Sequence, residues 1–305
     1  MTIALISHPD CILHDVGEHH PERPERVQVI QEALKRFPFK TNTKFYQAPL
    51  ATYAQLISVH DKDYVDWIRS IAPKEGYIGI DEDTMMNPHT LQAALRAAGS
   101  VPFAVDTVMS GEAQVAFCNI RPPGHHAERD KAMGFCFFNN IAIGVVHVIT
   151  HYPIKRVAII DFDVHHGNGT QNIFQTEKRV MYCSSFEHPF YPGYDSEMDN
   201  EHILSVPLEA GTGSELFRGK VQEVWFERLA AFQPQFIFFS AGFDAHAKDP
   251  LADLSLIEED YVWLTTQIAK IAKVHGDGKM VSVLEGGYNL DALAQCVPAH
   301  VNAML

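Results

Sequence analysis

Apolar and polar positions along the chain fall into two alternating rhythms. Short runs rich in β-branched and aromatic residues stand at 3–7, 115–118, 157–162, 180–184, 203–207, 236–240 and 280–284. Each is bounded by polar or turn-forming residues, the pattern of a strand. Between them, apolar residues recur three and four positions apart over 25–36, 62–71, 90–109, 140–151, 214–232, 256–274 and 290–302, the spacing of one helix face. The run Phe236-Ile-Phe-Phe239 has no polar alternation, as expected of a strand covered on both sides. Strand–helix alternation of this kind predicts an α/β fold with a parallel sheet between helical layers. No repeat, low-complexity tract or Gly/Ser linker interrupts it, so residues 1–305 read as one domain.

The loops behind four of the strands carry the chemistry. After Cys118 comes Asn-Ile-Arg-Pro-Pro-Gly-His-His126, and after Ile160 comes Asp-Phe-Asp-Val-His-His-Gly167. After Ser240 comes Ala-Gly-Phe-Asp-Ala-His246, and after Leu284 comes Glu-Gly-Gly-Tyr288. Open α/β sheets hold their ligands at the carboxyl ends of the strands, so these four loops are expected to converge on one crevice. On extended chain Asp161, Asp163 and His165 would share a face, and Asp244 would add a ligand from a second loop. Three protein ligands with an open position are the pattern of a catalytic metal, which would polarise a carbonyl and lower the pKa of a bound water. His125 and His126 offer a base, Tyr288 a hydroxyl for a developing oxyanion. Met133-Gly-Phe135 and Phe190-Tyr191-Pro192 offer apolar walls. With 17 histidines among 305 residues, a single doublet says little; the weight lies in the four loops together.

Composition narrows the setting. The balance of 24 Lys+Arg against 38 Asp+Glu gives a net charge of −14, which repels phosphate backbones and favours cationic substrates over nucleic acid. Five cysteines without a C-x-x-C pair predict reduced thiols and a cytoplasmic location. The longest stretch free of Asp, Glu, Lys and Arg, 132–154, contains Asn139, Asn140, His147 and His151, so no membrane span is expected. The first residues lack the basic start of a signal peptide.

Taken together, Arg121-Pro-Pro-Gly-His-His-Ala-Glu128, Met133-Gly-Phe-Cys-Phe-Phe-Asn-Asn140, Asp161-Phe-Asp-Val-His-His-Gly-Asn-Gly-Thr-Gln171, Gly242-Phe-Asp244 and Leu284-Glu-Gly-Gly-Tyr-Asn-Leu290 resemble the zinc-dependent histone deacetylase superfamily. The likeness is to its class II branch and bacterial amidohydrolase relatives, and His20-Pro-Glu-Arg-Pro-Glu-Arg26 resembles the family's N-terminal motif. It implies the arginase/deacetylase fold, with a central sheet of about eight parallel strands. It implies zinc on Asp163, His165 and Asp244, with iron(II) or cobalt(II) as possible substitutes. His126 would be general base and then acid, beside His125; Tyr288 would stabilise the oxyanion. Asp161 and Asn168 would orient the histidines from behind. Gly134, Phe135, Tyr191 and Leu251 would line the substrate tunnel. Structural potassium or sodium would sit on Asp161, Asp163, His165, Ser184 and Ser185, with Phe174 and Val180 at a second site.

Three positions qualify the resemblance. Asn168 stands where class I members carry Asp, which leaves His126 less inclined to hold a proton. Tyr191 replaces a Phe of the tunnel wall. Tyr288 is kept where weakly active class IIa members carry His, so activity is expected. The implied reaction is removal of acyl groups from lysine side chains of peptides or proteins, with acetylated polyamines as the alternative substrate. Polyamine deacetylases of the family carry Glu after the Asp-Pro that comes behind the last metal ligand; here Leu251 stands after Asp249-Pro250, which favours acyl-lysine. Asp81-Glu82-Asp83 supplies an acidic rim that argues the other way. A non-catalytic acyl-lysine binder is the competing class, and the intact ligands, histidines and Tyr288 argue against it. Oligomeric state is not legible in the sequence.

Overall fold

The computed structural model describes residues 2–305. The chain runs β1 (Thr2–Ser7), α1 (Asp10–Leu13), α2 (Glu25–Arg36), β2 (Asn42–Gln47), α3 (Tyr53–Ile57), α4 (Lys62–Ile71), β3 (Ile78–Gly79), β4 (Met85–Met86), α5 (Thr90–Met109) and β5 (Val115–Cys118). It continues with α6 (Asn140–His151), β6 (Val157–Asp161), α7 (Asn168–Phe174), β7 (Val180–Glu187), β8 (Ile203–Leu208), α8 (Ser214–Val221), a π-helical stretch Gln222–Phe226, α9 (Glu227–Phe232), β9 (Phe236–Ala241), α10 (Glu258–His275), β10 (Met280–Leu284) and α11 (Leu290–Ala303).

Eight strands form one sheet in the order β2-β1-β5-β10-β9-β6-β7-β8, every neighbouring pair parallel. Side chains alternate between its two faces. Ala4, Ala116, Cys118, Ile159, Phe238 and Val281 pack on one side with helix residues such as Leu56, Tyr64, Ala97 and Ile141. Leu5, Phe117, Ile160, Phe239 and Leu284 pack on the other with Ile30, Trp225, Leu264 and Val297. All of these are buried, and each large one contributes roughly 1.5–3 kcal/mol. The sheet is therefore sandwiched, as the continuous apolar runs require.

Seven of the eight strands follow the apolar pattern. The eighth, β2, does not: Asn-Thr-Lys-Phe-Tyr-Gln lies at the sheet edge and is exposed or half-buried throughout, so burial does not select apolar residues there. The single helix expected over 214–232 is one helical segment whose middle widens to a π turn before α9. All five cysteines are free and buried. No helix among the described residues is long and apolar enough to cross a membrane.

Candidate active site

The loops after β5, β6, β7, β9 and β10 meet at the carboxyl edge of the sheet. They enclose a pocket of ≈ 320 Å³ whose walls include His125, His126, Gly134, Phe135, His165, Tyr191, Leu251, Gly286 and Tyr288. At its floor one donor atom each from Asp163, His165 and Asp244 lie within 4.8 Å of one another, the one such group among the described residues. His165 Nδ1 stands 3.1 Å from Asp163 Oδ1 and 3.3 Å from Asp244 Oδ2. The outer oxygens are fixed by main chain: Gly286 N–H donates to Asp163 Oδ2 (2.8 Å) and Val164 N–H to Asp244 Oδ1 (2.9 Å). Asp244 Oδ2 is buried without a hydrogen-bond partner.

Two buried carboxylates at this separation repel unless a cation lies between them. Burial and the charge of Asp163 raise the Asp244 carboxyl above its usual range. His165 shows the same field. Burial opposes its charged form, yet the adjacent carboxylates of Asp163 and Asp244 outweigh it and lift the imidazole to about 10. The donor set therefore fits a divalent metal held by two carboxylates and one imidazole. The close approach also fixes two glycines. A Cβ on Gly242 would lie 2.1 Å from Asp163 Oδ2, and one on Gly286 1.9 Å from Asp244 Oδ2.

Beside the ligands, the two adjacent histidines of the β5–α6 loop are driven apart electrostatically. His125 Nδ1 donates to Asp161 Oδ2 (3.1 Å), which also accepts from the Tyr182 hydroxyl (2.8 Å). Burial opposes the imidazolium, but the charges of Asp163 and Asp161 prevail and raise His125 to about 10. His126 goes the other way. Burial, then the charges of His125 and His165, hold it well below the usual imidazole range, so it is neutral at pH 7. Its Nδ1 donates to Asn168 Oδ1 (2.8 Å), which leaves Nε2 with a lone pair. The same surroundings therefore favour charge on His125 and neutrality on His126. Asp161 gives Oδ2 to His125 and Oδ1 to the Asp163 N–H (3.2 Å) and does not join the donor set as a period-two strand would have it, because β6 ends at Asp161 and the chain bends at Val164–His165.

The opposite wall is the loop between β10 and α11. Burial keeps the Tyr288 hydroxyl protonated, and its ring lies edge-on to Phe135 with centroids 6.1 Å apart. Gly134 takes φ +56°, and a Cβ there would lie 2.5 Å from His126 Cδ2. Phe135 also takes a positive φ, +67°, a strained conformation for an aromatic residue; its N–H is held by Thr84 Oγ1 (3.2 Å). Tyr191 closes the other side, its ring 5.3 Å from His126, while Phe190 stacks on His165.

The sequence profile of the histone deacetylase domain matches residues 20–304. The chain belongs to the histone deacetylase family. This deacetylase-family chain is 35% identical to a probable deacetylase of Archaeoglobus fulgidus, over 95% of its own length and 82% of the relative's. It is 34% identical to a histone deacetylase-like amidohydrolase of Pseudomonas aeruginosa, over 92% and 80%. The crystal structure of the HDA15 HD domain superposes with a TM-score of 0.90 at 32% identity, covering 99% of this chain and 88% of that one. By contrast, the chain spans only 21% of the type-2 histone deacetylase 2 of Dictyostelium discoideum, a much longer protein.

Gly134, Phe135, Tyr191 and Leu251, expected from sequence at a tunnel, line this pocket together with His165, and Asp163 and Asp244 stand against His165. Ser184 pairs with Asp161 across β6 and β7 but gives its hydroxyl to His166; Ser185 is the next residue of β7. Phe174 ends α7 and Val180 opens β7. Several supporting residues stand in the motifs quoted above, but the sequence does not show what they hold. Arg26 of α2 donates from Nε to Gly287 O and from Nη2 to Glu285 O (both 2.6 Å), and stands 4.9 Å over the Tyr288 ring. Glu285 Oε2 accepts from Gly124 and His125 N–H. Asp249 accepts from Tyr288, Asn289 and Leu251 N–H, so it ties the Tyr288 loop to the loop carrying Leu251. Burial and Asp244 raise its carboxyl to about 7. These groups act through main chain, and no side-chain pattern announces that.

Proposed function

We propose that the chain is a zinc-dependent amidohydrolase that removes acetyl groups from the side-chain amines of lysine in peptides or proteins. What carries this reading is that neutral His126, cationic His125 and the Tyr288 hydroxyl line the same pocket as the Asp163–His165–Asp244 donor set. When bound, the metal supplies a Lewis acid for the amide carbonyl and for water; iron(II) or cobalt(II) fits the same donors. His126 Nε2 takes the proton of the attacking water and later returns it to the leaving amine. His125, held as a cation by Asp163 and Asp161, favours negative charge accumulating on the carbonyl oxygen. Tyr288 donates its hydroxyl to that oxygen. Phe135 and Tyr191 exclude water from the acyl-bearing chain. Monovalent cations beside Asp161 and Ser184 and beside Phe174 and Val180 belong to the same proposal.

Leu251 at the pocket wall offers no counter-charge to an internal ammonium, which supports lysine over a polyamine. Asp83, also at the pocket, supports the second reading, an acetylpolyamine amidohydrolase. The deciding measurement is kcat/KM of the zinc-loaded protein on an acetyl-lysine peptide against acetylspermidine. We expect the peptide to be preferred, and Leu251→Glu to move the ratio toward the polyamine. A wild-type preference for acetylspermidine would overturn the lysine assignment, and an unmoved ratio would remove Leu251 as selector.

A further inference from the structure

His126 can act as a base only in the tautomer that carries its proton on Nδ1. Its Nδ1 partner is an amide, Asn168, and an amide presents either an acceptor or a donor depending on which way it is turned. Were Asn168 reversed, its NH₂ would face Nδ1, the imidazole proton would move to Nε2, and the lone pair facing the pocket would be gone. The orientation of Asn168 therefore decides whether His126 works.

That orientation is set from behind. Asn168 Nδ2 donates to Glu128 Oε1 at 2.7 Å, and a carboxylate accepts without donating. Its remaining contacts on that side, Met133 Sδ at 3.3 Å and His126 O at 3.5 Å, are also acceptors, but weaker ones. Glu128 in turn sits on a fixed main chain. His60 Nδ1 donates to Glu128 O (2.8 Å), and His60 Nε2 accepts from Asn139 N–H (2.9 Å), so that ring too has a defined tautomer. Burial lowers His60 to about 4, which keeps it neutral. Glu128 N–H is taken by Lys131 O.

We propose that Glu128 is a positioning residue: its carboxylate locks the Asn168 amide oxygen toward His126 and thereby holds the imidazole in its basic, Nδ1-protonated tautomer. A carboxylate in direct contact with Nδ1 would favour the charged imidazole. Placing it one amide further out keeps the orienting bond while His126 remains neutral. The inference rests on His126 being the base of the reaction proposed above.

The test uses zinc-loaded protein labelled with ¹⁵N-histidine, with His126 signals assigned by their loss in His126→Gln. The imidazole ¹⁵N shifts read the tautomer, and kcat and KM are measured on an acetylated lysine peptide. In the native chain and in Glu128→Gln, whose amide oxygen accepts the same bond, His126 is expected as the Nδ1–H form. In Glu128→Leu, an Nε2–H population appears, kcat falls on the order of tenfold, as for other groups that orient a catalytic imidazole, and KM stays within twofold. An unchanged tautomer in Glu128→Leu overturns the proposal whatever kcat does. Equal loss of the Nδ1–H form in the Gln and Leu variants overturns it as well. A shifted tautomer with unchanged kcat sustains the role of Glu128 and instead removes His126 as base.

Discussion

A Cβ added at Gly286 would stand 1.9 Å from Asp244 Oδ2 and 2.6 Å from Asp163 Oδ2, far inside contact distance. The nearest atoms are the unpartnered oxygen of Asp244 and the outer oxygen of Asp163 that Gly286 N–H holds, so relief of the clash shifts both carboxylates of the donor set. Gly286→Ala is expected to weaken zinc binding by about 10- to 100-fold, read by competition with a chelating dye; an unchanged affinity would mean the carboxylates do not hold the ion. Two residues on, the role of Tyr288 is separable from binding. Its hydroxyl is expected to supply one donor to the oxyanion, so Tyr288→Phe should lower kcat about 10²- to 10³-fold with zinc content unchanged. Turnover within threefold of the native chain would take Tyr288 out of the mechanism. Both residues were legible in the sequence, because Glu285-Gly-Gly287 stands directly behind an apolar strand and only short, flexible backbone admits such close approach. The bracing roles of Arg26, Glu285 and Asp249 were not, although their motifs were, since each holds main-chain groups far away in sequence, up to 261 positions.

At the scale of elements, the loop carrying Tyr288 is braced by the entry to α2. Glu22 accepts from Arg26 Nη1 (2.9 Å) and Arg121 Nη2 (2.6 Å), with all three side chains fully buried. Burial opposes the Glu22 charge, but Arg121, His14 and Arg26 hold its carboxyl well below the usual range. Arg121 also donates to Cys11 O and His14 O, so one carboxylate joins the loops around α1, α2 and the β5–α6 connection. Glu22→Gln leaves two buried guanidiniums without their counter-charge, at a cost of about 3–5 kcal/mol. Against a total stability of about 5–15 kcal/mol that is severe, and the urea midpoint should drop accordingly; a midpoint unchanged within error would contradict a role for this cluster. The helix of α2 was legible from its apolar spacing, whereas the contacts among Glu22, Arg26 and Arg121 were not, though all three stand in quoted motifs, because nothing local distinguishes a buried glutamate from a solvated one. The same logic hid β2. Its side chains are exposed or half-buried, so it lacks the apolar run that revealed the opposite, largely buried edge strand β8 as well as β5, β6, β9 and β10.

Across the whole molecule, the acid side of the stability curve should be governed in part by buried histidines that do not line the pocket. His300 of α11 is buried between Thr265 Oγ1 of α10 (2.6 Å) and Ser282 Oγ of β10 (2.9 Å), on the face of the sheet that also packs Phe162, Phe239 and Phe243 around its ring. Burial alone lowers it from 6.5 to about 3, and burial lowers His60 on the other face to about 4. In both cases the folded pKa lies below the unfolded value, so between the two the unfolded chain binds the extra proton. Stability is therefore fully present above about pH 6.5 and falls as pH drops toward the folded pKa, by about 1.4 kcal/mol per unit for each group. At about pH 5 each histidine costs about 2 kcal/mol relative to neutral pH or above, a sizeable share of the whole. His300→Gln keeps a polar group between Thr265 and Ser282 but cannot titrate. Whatever it costs at about pH 7.5, its deficit against the native chain should shrink by about 2 kcal/mol at about pH 5, measured by urea unfolding at both pH values. A deficit that stays constant would show that His300 is not the buried neutral base that joins α10, α11 and β10.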